Sequence, residues 1–73
     1  MTGSLHSNAY KRFLARLRAA RKEAGLTQVE VARALDVDQG IVSRSETGER
    51  RVDAVELGHL AKLYRKPMEW FVE

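Results

Sequence analysis

The sequence predicts an all-α domain, a compact bundle of five helices, and three observations carry that prediction. Apolar residues recur at steps of three and four, so they line single helix faces. Two capping-box patterns, Thr27 with Glu30 and Asp53 with Glu56, mark helix starts, and Gly25 and Gly48 stand where helices would stop. No segment alternates apolar and polar residues as a half-buried strand does.

The spacing predicts a first helix over about Ser7 to Ala24, with Tyr10, Phe13, Leu14, Leu17, Ala20 and Ala24 on one face. Ser7 or Asn8 is its cap, and Gly25 ends it in a left-handed conformation. Residues 1–7 are expected to form a flexible tail, and residues 8–73 a single domain. A short second helix follows over about 27–35. Asp36 and Val37 make a tight turn, and Asp38 caps a third helix that runs over about 38–47 and stops at Gly48.

The fourth helix is expected over about Asp53 to Arg65, with Ala54, Leu57, Leu60, Ala61 and Tyr64 as its apolar stripe. Pro67 suits the first turn of a single-turn fifth helix, where its missing N–H costs nothing. That turn carries Met68, Trp70, Phe71 and Val72, of which Phe71 and Met68 are expected to close the bottom of the bundle.

Composition sets limits on function. A chain of 73 residues hides only about 60% of its unfolded surface, so its stability margin is thin. The absence of cysteine excludes disulfides and thiolate metal sites. Met1 to Asn8 is short and polar, and no stretch approaches the roughly 20 apolar residues of a membrane span, so a cytoplasmic location is expected.

The net charge of +3 is compatible with a polyanionic partner without establishing one. Lys11, Arg12, Arg16, Arg18, Arg21 and Lys22 crowd the first helix against Glu23 alone. That distribution fits either a solvated face or a surface for an anion.

The middle of the chain carries more information. A B-DNA major groove is about 12 Å wide and admits one helix, provided a second helix crosses beneath and holds it clear of the body. Val31, Ala32, Leu35, Val37 and Val42 supply inner faces for such a pair, and small Ala32 permits close approach. Gln39, Gly40, Ser43 and Arg44 are left on the exposed N-terminal face of the third helix. Glutamine pairs in bidentate fashion with adenine and arginine with guanine, each worth about 1 to 3 kcal/mol of discrimination. Gly40 gives clearance, Ser43 reads ambiguously, and Ile41 is placed to meet a thymine methyl.

The segment GLTQVEVARALDVDQGIVSRSETGERR resembles the Cro and phage-repressor helix-turn-helix family, also called XRE. The resemblance covers about Phe13 to Val72 and implies a lambda-repressor-like DNA-binding domain. It rests on Gly25 to Gln28, Ala32, Val42-Ser43-Arg44, and Glu46 followed by Gly48. In that family the glutamine matching Gln28 binds a DNA phosphate and braces the first residue of the reading helix, here Gln39. A helix N-terminus favours a phosphate on independent grounds. Arg21 and Glu46 match a family pair that ties the first helix to the end of the reading helix. Thr27, Thr47, Arg50 and Arg51 are further expected phosphate contacts.

The chain departs from the family at three places. Asp36 and Arg65 stand where glycines are usual, and Ser45 replaces a common large apolar residue. Aspartate tolerates the left-handed conformation, whereas Arg65 leaves the end of the fourth helix the least defined boundary.

Catalytic, metal and cofactor sites are not expected. His6 and His59 have no partner at metal-ligand spacing, and Ser43 and Ser45 lie in no nucleophile elbow or phosphate loop. The apolar surplus after Pro67 points instead to a protein contact, with Trp70 and Val72 in a homodimer interface. A dimer reads two half-sites about 34 Å apart, which implies a pseudo-palindromic double-stranded operator. The expected role is that of a transcriptional repressor, although the sequence itself does not choose between repression and activation. The alternative is an antitoxin-type module that neutralises a partner protein through the same tail and regulates itself through the same fold.

Overall fold

In the computed structural model, which describes residues 7–73, the boundaries of the first four helices fall where side chains or turns take over the hydrogen bonds that a helix end leaves open. The helices are α1 (Asn8–Glu23), α2 (Gln28–Leu35), α3 (Gln39–Thr47), α4 (Ala54–Tyr64) and α5 (Met68–Val72). The all-α expectation therefore holds, with all five helices near their expected positions. Ser7 is the cap of α1, its Oγ accepting the Tyr10 N–H. The rest of the expected tail, residues 1–6 with His6, lies outside the described residues.

Both capping boxes form in full. Thr27 Oγ1 accepts the Glu30 N–H at 3.1 Å while Glu30 accepts the Thr27 N–H at 2.8 Å. Asp53 and Glu56 repeat the exchange at 2.8 and 3.3 Å. The Thr27 bonds hold the Glu30 carboxyl below the usual range.

Three helices end in the same paired turn, in which two successive N–H groups reach back to carbonyls in the last turn. In α1 these are Gly25 to Lys22 and Leu26 to Arg21, in α2 Asp36 to Arg33 and Val37 to Ala32, and in α4 Arg65 to Lys62 and Lys66 to Ala61. The geometry needs a left-handed residue, and Asp36 (φ 58°) and Arg65 (φ 60°) adopt it without being glycine. Arg65 thus fixes the end of α4 at a cost of roughly 1 kcal/mol that glycine would avoid.

The core is built from Phe13, Leu17 and Ala20 of α1, Val31 and Ala32 of α2, Val42 of α3, Leu60, Ala61 and Tyr64 of α4, and Phe71 of α5. Phe71 is fully buried against α1 and closes the bundle as expected. Met68 does not, because one turn of helix directs a single residue inward; it stays 42% exposed. Val37, expected on an inner face, is 41% exposed because it follows the left-handed Asp36 and begins the turn. Ala24 and Ala54, at helix ends, are exposed as well.

Candidate nucleic-acid interface

The two short helices α2 and α3 pack on each other through Val31, Ala32 and Val42, separated by three residues that include the left-handed Asp36. This is a helix-turn-helix, and a line of polar side chains runs from its base to its exposed edge. Arg21 on α1 forks onto Glu46 near the end of α3, with Nε to Oε2 at 2.6 Å and Nη2 to Oε1 at 3.1 Å. Its third nitrogen, Nη1, donates to the Leu26 carbonyl at 2.9 Å. Glu46 Oε1 also accepts from Gln28 Nε2 at 3.1 Å, and Gln28 Oε1 accepts from Gln39 Nε2 at 2.8 Å.

Each link has a physical reason. The Arg21 and Glu46 side chains are only 11% and 5% exposed, so the fork forms where water competes little. Its hydrogen bond to Glu46 raises the Arg21 pKa further, which keeps the guanidinium charged. Gln28, the first residue of α2, has both an acceptor and a donor on one amide and so passes the order on to Gln39, the first residue of α3. The orientation of a buried ion pair is thereby transmitted to a solvent-exposed edge.

On that edge Gln39 and Arg44 are exposed, whereas Gly40 and Ser43 are half-buried. Arg44 lies back over Gly40: a Cβ built there would stand 2.9 Å from Arg44 Nη1 and 2.8 Å from Asp38 Oδ2. Gly40 thus supplies room for the guanidinium and for the Asp38 carboxylate that caps α3 through the Gly40 N–H at 2.9 Å. The structure brings Gln39, Gly40, Ser43 and Arg44 to one helix face. Ile41 is displaced from it. It is half-buried and lines a crevice of about 100 Å³ with Val37, Ser45, Leu60 and His59.

The expected phosphate contacts divide into two groups. Thr27, Thr47 and Arg51 are exposed and Gln28 is half-buried; Thr47 Oγ1 donates to the Arg44 carbonyl at 3.2 Å. Arg50 differs, since its guanidinium forks onto Glu56, with Nη1 to Oε1 at 3.0 Å, and Nη1 also reaches Ser45 Oγ at 3.3 Å. That fork holds the Glu56 carboxyl below the usual glutamate range. It also explains the small residue at Ser45, where a large apolar side chain would occupy the guanidinium's place. Sequence reasoning read Glu56 only as half of a capping box and did not pair it with Arg50, because the loop between α3 and α4 has no periodicity to follow.

Trp70 is half-buried and lies between two cations, with Lys66 Nζ 4.6 Å and Arg16 Cζ 5.4 Å from its ring, while Arg16 Nη1 donates to its carbonyl at 2.6 Å. Its apolar surface is therefore already largely occupied, leaving Val72, 68% exposed, as the freer of the two expected dimer residues. Among the described residues no helix is long and apolar enough to cross a membrane, and no three potential metal ligands gather.

An all-helical domain with an exposed helix braced in this way defines a helix-turn-helix DNA-binding module. A sequence model of the helix-turn-helix family matches residues 17–71, and the chain belongs to that family, of the Cro and XRE type. It is a DNA-binding regulator domain. No curated protein and no solved structure matches the chain.

Proposed function

We propose that the chain is a sequence-specific transcriptional repressor that binds double-stranded DNA as a homodimer, with α3 in the major groove. The observation that supports this most is the polar line Arg21–Glu46–Gln28–Gln39, which spends a buried charge pair on aiming a side chain that makes no core contact. Gln39 and Arg44 read base edges, Gly40 gives clearance, and Ser43 contributes a short polar contact. The N-termini of α2 and α3 face the backbone, and Thr27, Gln28, Thr47 and Arg51 contact phosphates. Arg50 serves the loop that carries Arg51 through its fork with Glu56. Val72, flanked by Trp70, contributes to the contact between two copies, which sets a pseudo-palindromic operator. Regulation follows from occupancy, since bound protein blocks polymerase.

Selection from random duplexes followed by sequencing tests this reading, because it returns site, symmetry and spacing together. A paired site with half-sites about one helical turn apart is expected. On the selected duplex, Arg44→Ala should relax preference at one base step and lose about 1 to 3 kcal/mol of discrimination there. Failure to enrich any sequence, or an Arg44→Ala protein with unchanged preference, overturns the assignment.

A further inference from the structure

We propose that Tyr10 is a positioning residue for DNA binding, which clamps the loop after the reading helix and aims Arg51 at the phosphate backbone. The inference rests on the DNA-binding reading above and extends it to a part of α1 outside the family match. That match begins at Leu17, so Tyr10, in the first turn of α1, lies before it.

Tyr10 touches the loop at two points. Tyr10 Oη accepts the Val52 N–H at 3.2 Å, across 42 positions of sequence. The Arg51 guanidinium lies 4.6 Å from the centre of the Tyr10 ring, in cation–π contact. The ring is itself fixed by Phe13, 5.2 Å away and part of the core, so the clamp is anchored to the body of the domain.

The N–H groups of Glu49, Arg50 and Asp53, around Val52 in the loop, are also taken. Arg50 donates to the Arg44 carbonyl, Asp53 to Glu56, and Glu49 to Thr47 Oγ1 at 3.5 Å. Among the described residues the Arg51 N–H has no partner, and its side chain is exposed. One residue therefore offers both a backbone donor and a cation, the two groups that bind a phosphate oxygen. The Tyr10 hydroxyl fixes the backbone one residue further on, and the Tyr10 ring restricts the guanidinium. Without either, Arg51 would have to be ordered on binding, which lowers affinity for every duplex alike and leaves base preference untouched.

The test is a double-mutant cycle between Tyr10→Leu and Arg51→Ala in the full chain, read on the selected duplex across a salt series. Helical circular dichroism confirms that each variant is folded. Tyr10→Leu should weaken binding about fivefold and reduce the dependence on log salt by up to about one unit, with discrimination against a mismatched duplex unchanged. In the Arg51→Ala background the same change should have little further effect. Tyr10→Phe, which keeps the ring and removes the acceptor, should fall between wild type and Tyr10→Leu. If both Tyr10 variants bind as wild type does, or if the Tyr10 and Arg51 effects simply add, the clamp is overturned while the DNA-binding reading stands. If the wild-type chain binds no duplex, the DNA-binding reading itself fails.

Discussion

Two arginine–glutamate forks meet α3 and the loop that follows it, and they differ in burial more than in chemistry. Arg21–Glu46 is nearly closed to solvent, whereas both side chains of Arg50–Glu56 are 33% exposed. The first joins α1 to α3 and continues through Gln28 to Gln39; the second joins the loop to the start of α4 and to Ser45 of α3, and reaches no side chain of the exposed edge. Burial makes an ion pair rigid and costly to break, while exposure makes it adjustable and cheap to lose. The domain places the rigid fork behind its proposed base-reading edge and the adjustable one behind its proposed phosphate-facing loop.

The largest expected effect comes from breaking the buried fork on one side. Glu46→Ala strands the Arg21 charge and should cost about 3 kcal/mol or more in urea unfolding. It should also release Gln28 and Gln39, so discrimination at the Gln39 step falls together with stability. A loss below about 1 kcal/mol would show that the two forks are energetically alike and would undo the comparison.

Next in size is Arg50→Ala, which should lower stability by less than about 1 kcal/mol, because solvent screens the fork it removes. Thermal unfolding followed by circular dichroism is sufficient to measure it. The Glu46→Ala and Arg50→Ala proteins together therefore calibrate how much of the difference is burial.

The smallest expected effect is on the acid side. The carboxyl of Glu56 titrates below its ordinary value because the Arg50 fork favours the charged form. Its contribution to stability is thus complete above the ordinary glutamate range and is lost as pH falls through the lowered folded value. Glu56→Gln should flatten the stability profile below about pH 4.5 and leave the slope near neutral pH unchanged. A profile identical to wild type would mean that the fork does not persist in solution.

Much of this was legible beforehand, and Arg21 and Glu46 show both how and how far. Their separation of 25 residues carries no local signal, so the pair was readable only through the family resemblance. The capping boxes needed no such help, because each is a contact between residues three apart. Arg65 marks the boundary between the two kinds of evidence: sequence disfavours a left-handed arginine, yet Lys66 to Ala61 closes the turn and overrides that preference. Ile41 illustrates the opposite case, since its place on α3 allows either an outward side chain or one turned to the crevice beside α4, and only the tertiary structure puts it in the crevice lining.

The sequence by itself determined five helices, their caps and the polar face of α3, because periodicity and capping are local and depend on side chains a few residues apart. Only the tertiary structure decided that Arg50 belongs to Glu56, that Trp70 is occupied by Arg16 and Lys66, and that Tyr10 holds the loop at Val52. These contacts bring together groups from loops and helix ends, where no repeat predicts which donor will meet which acceptor.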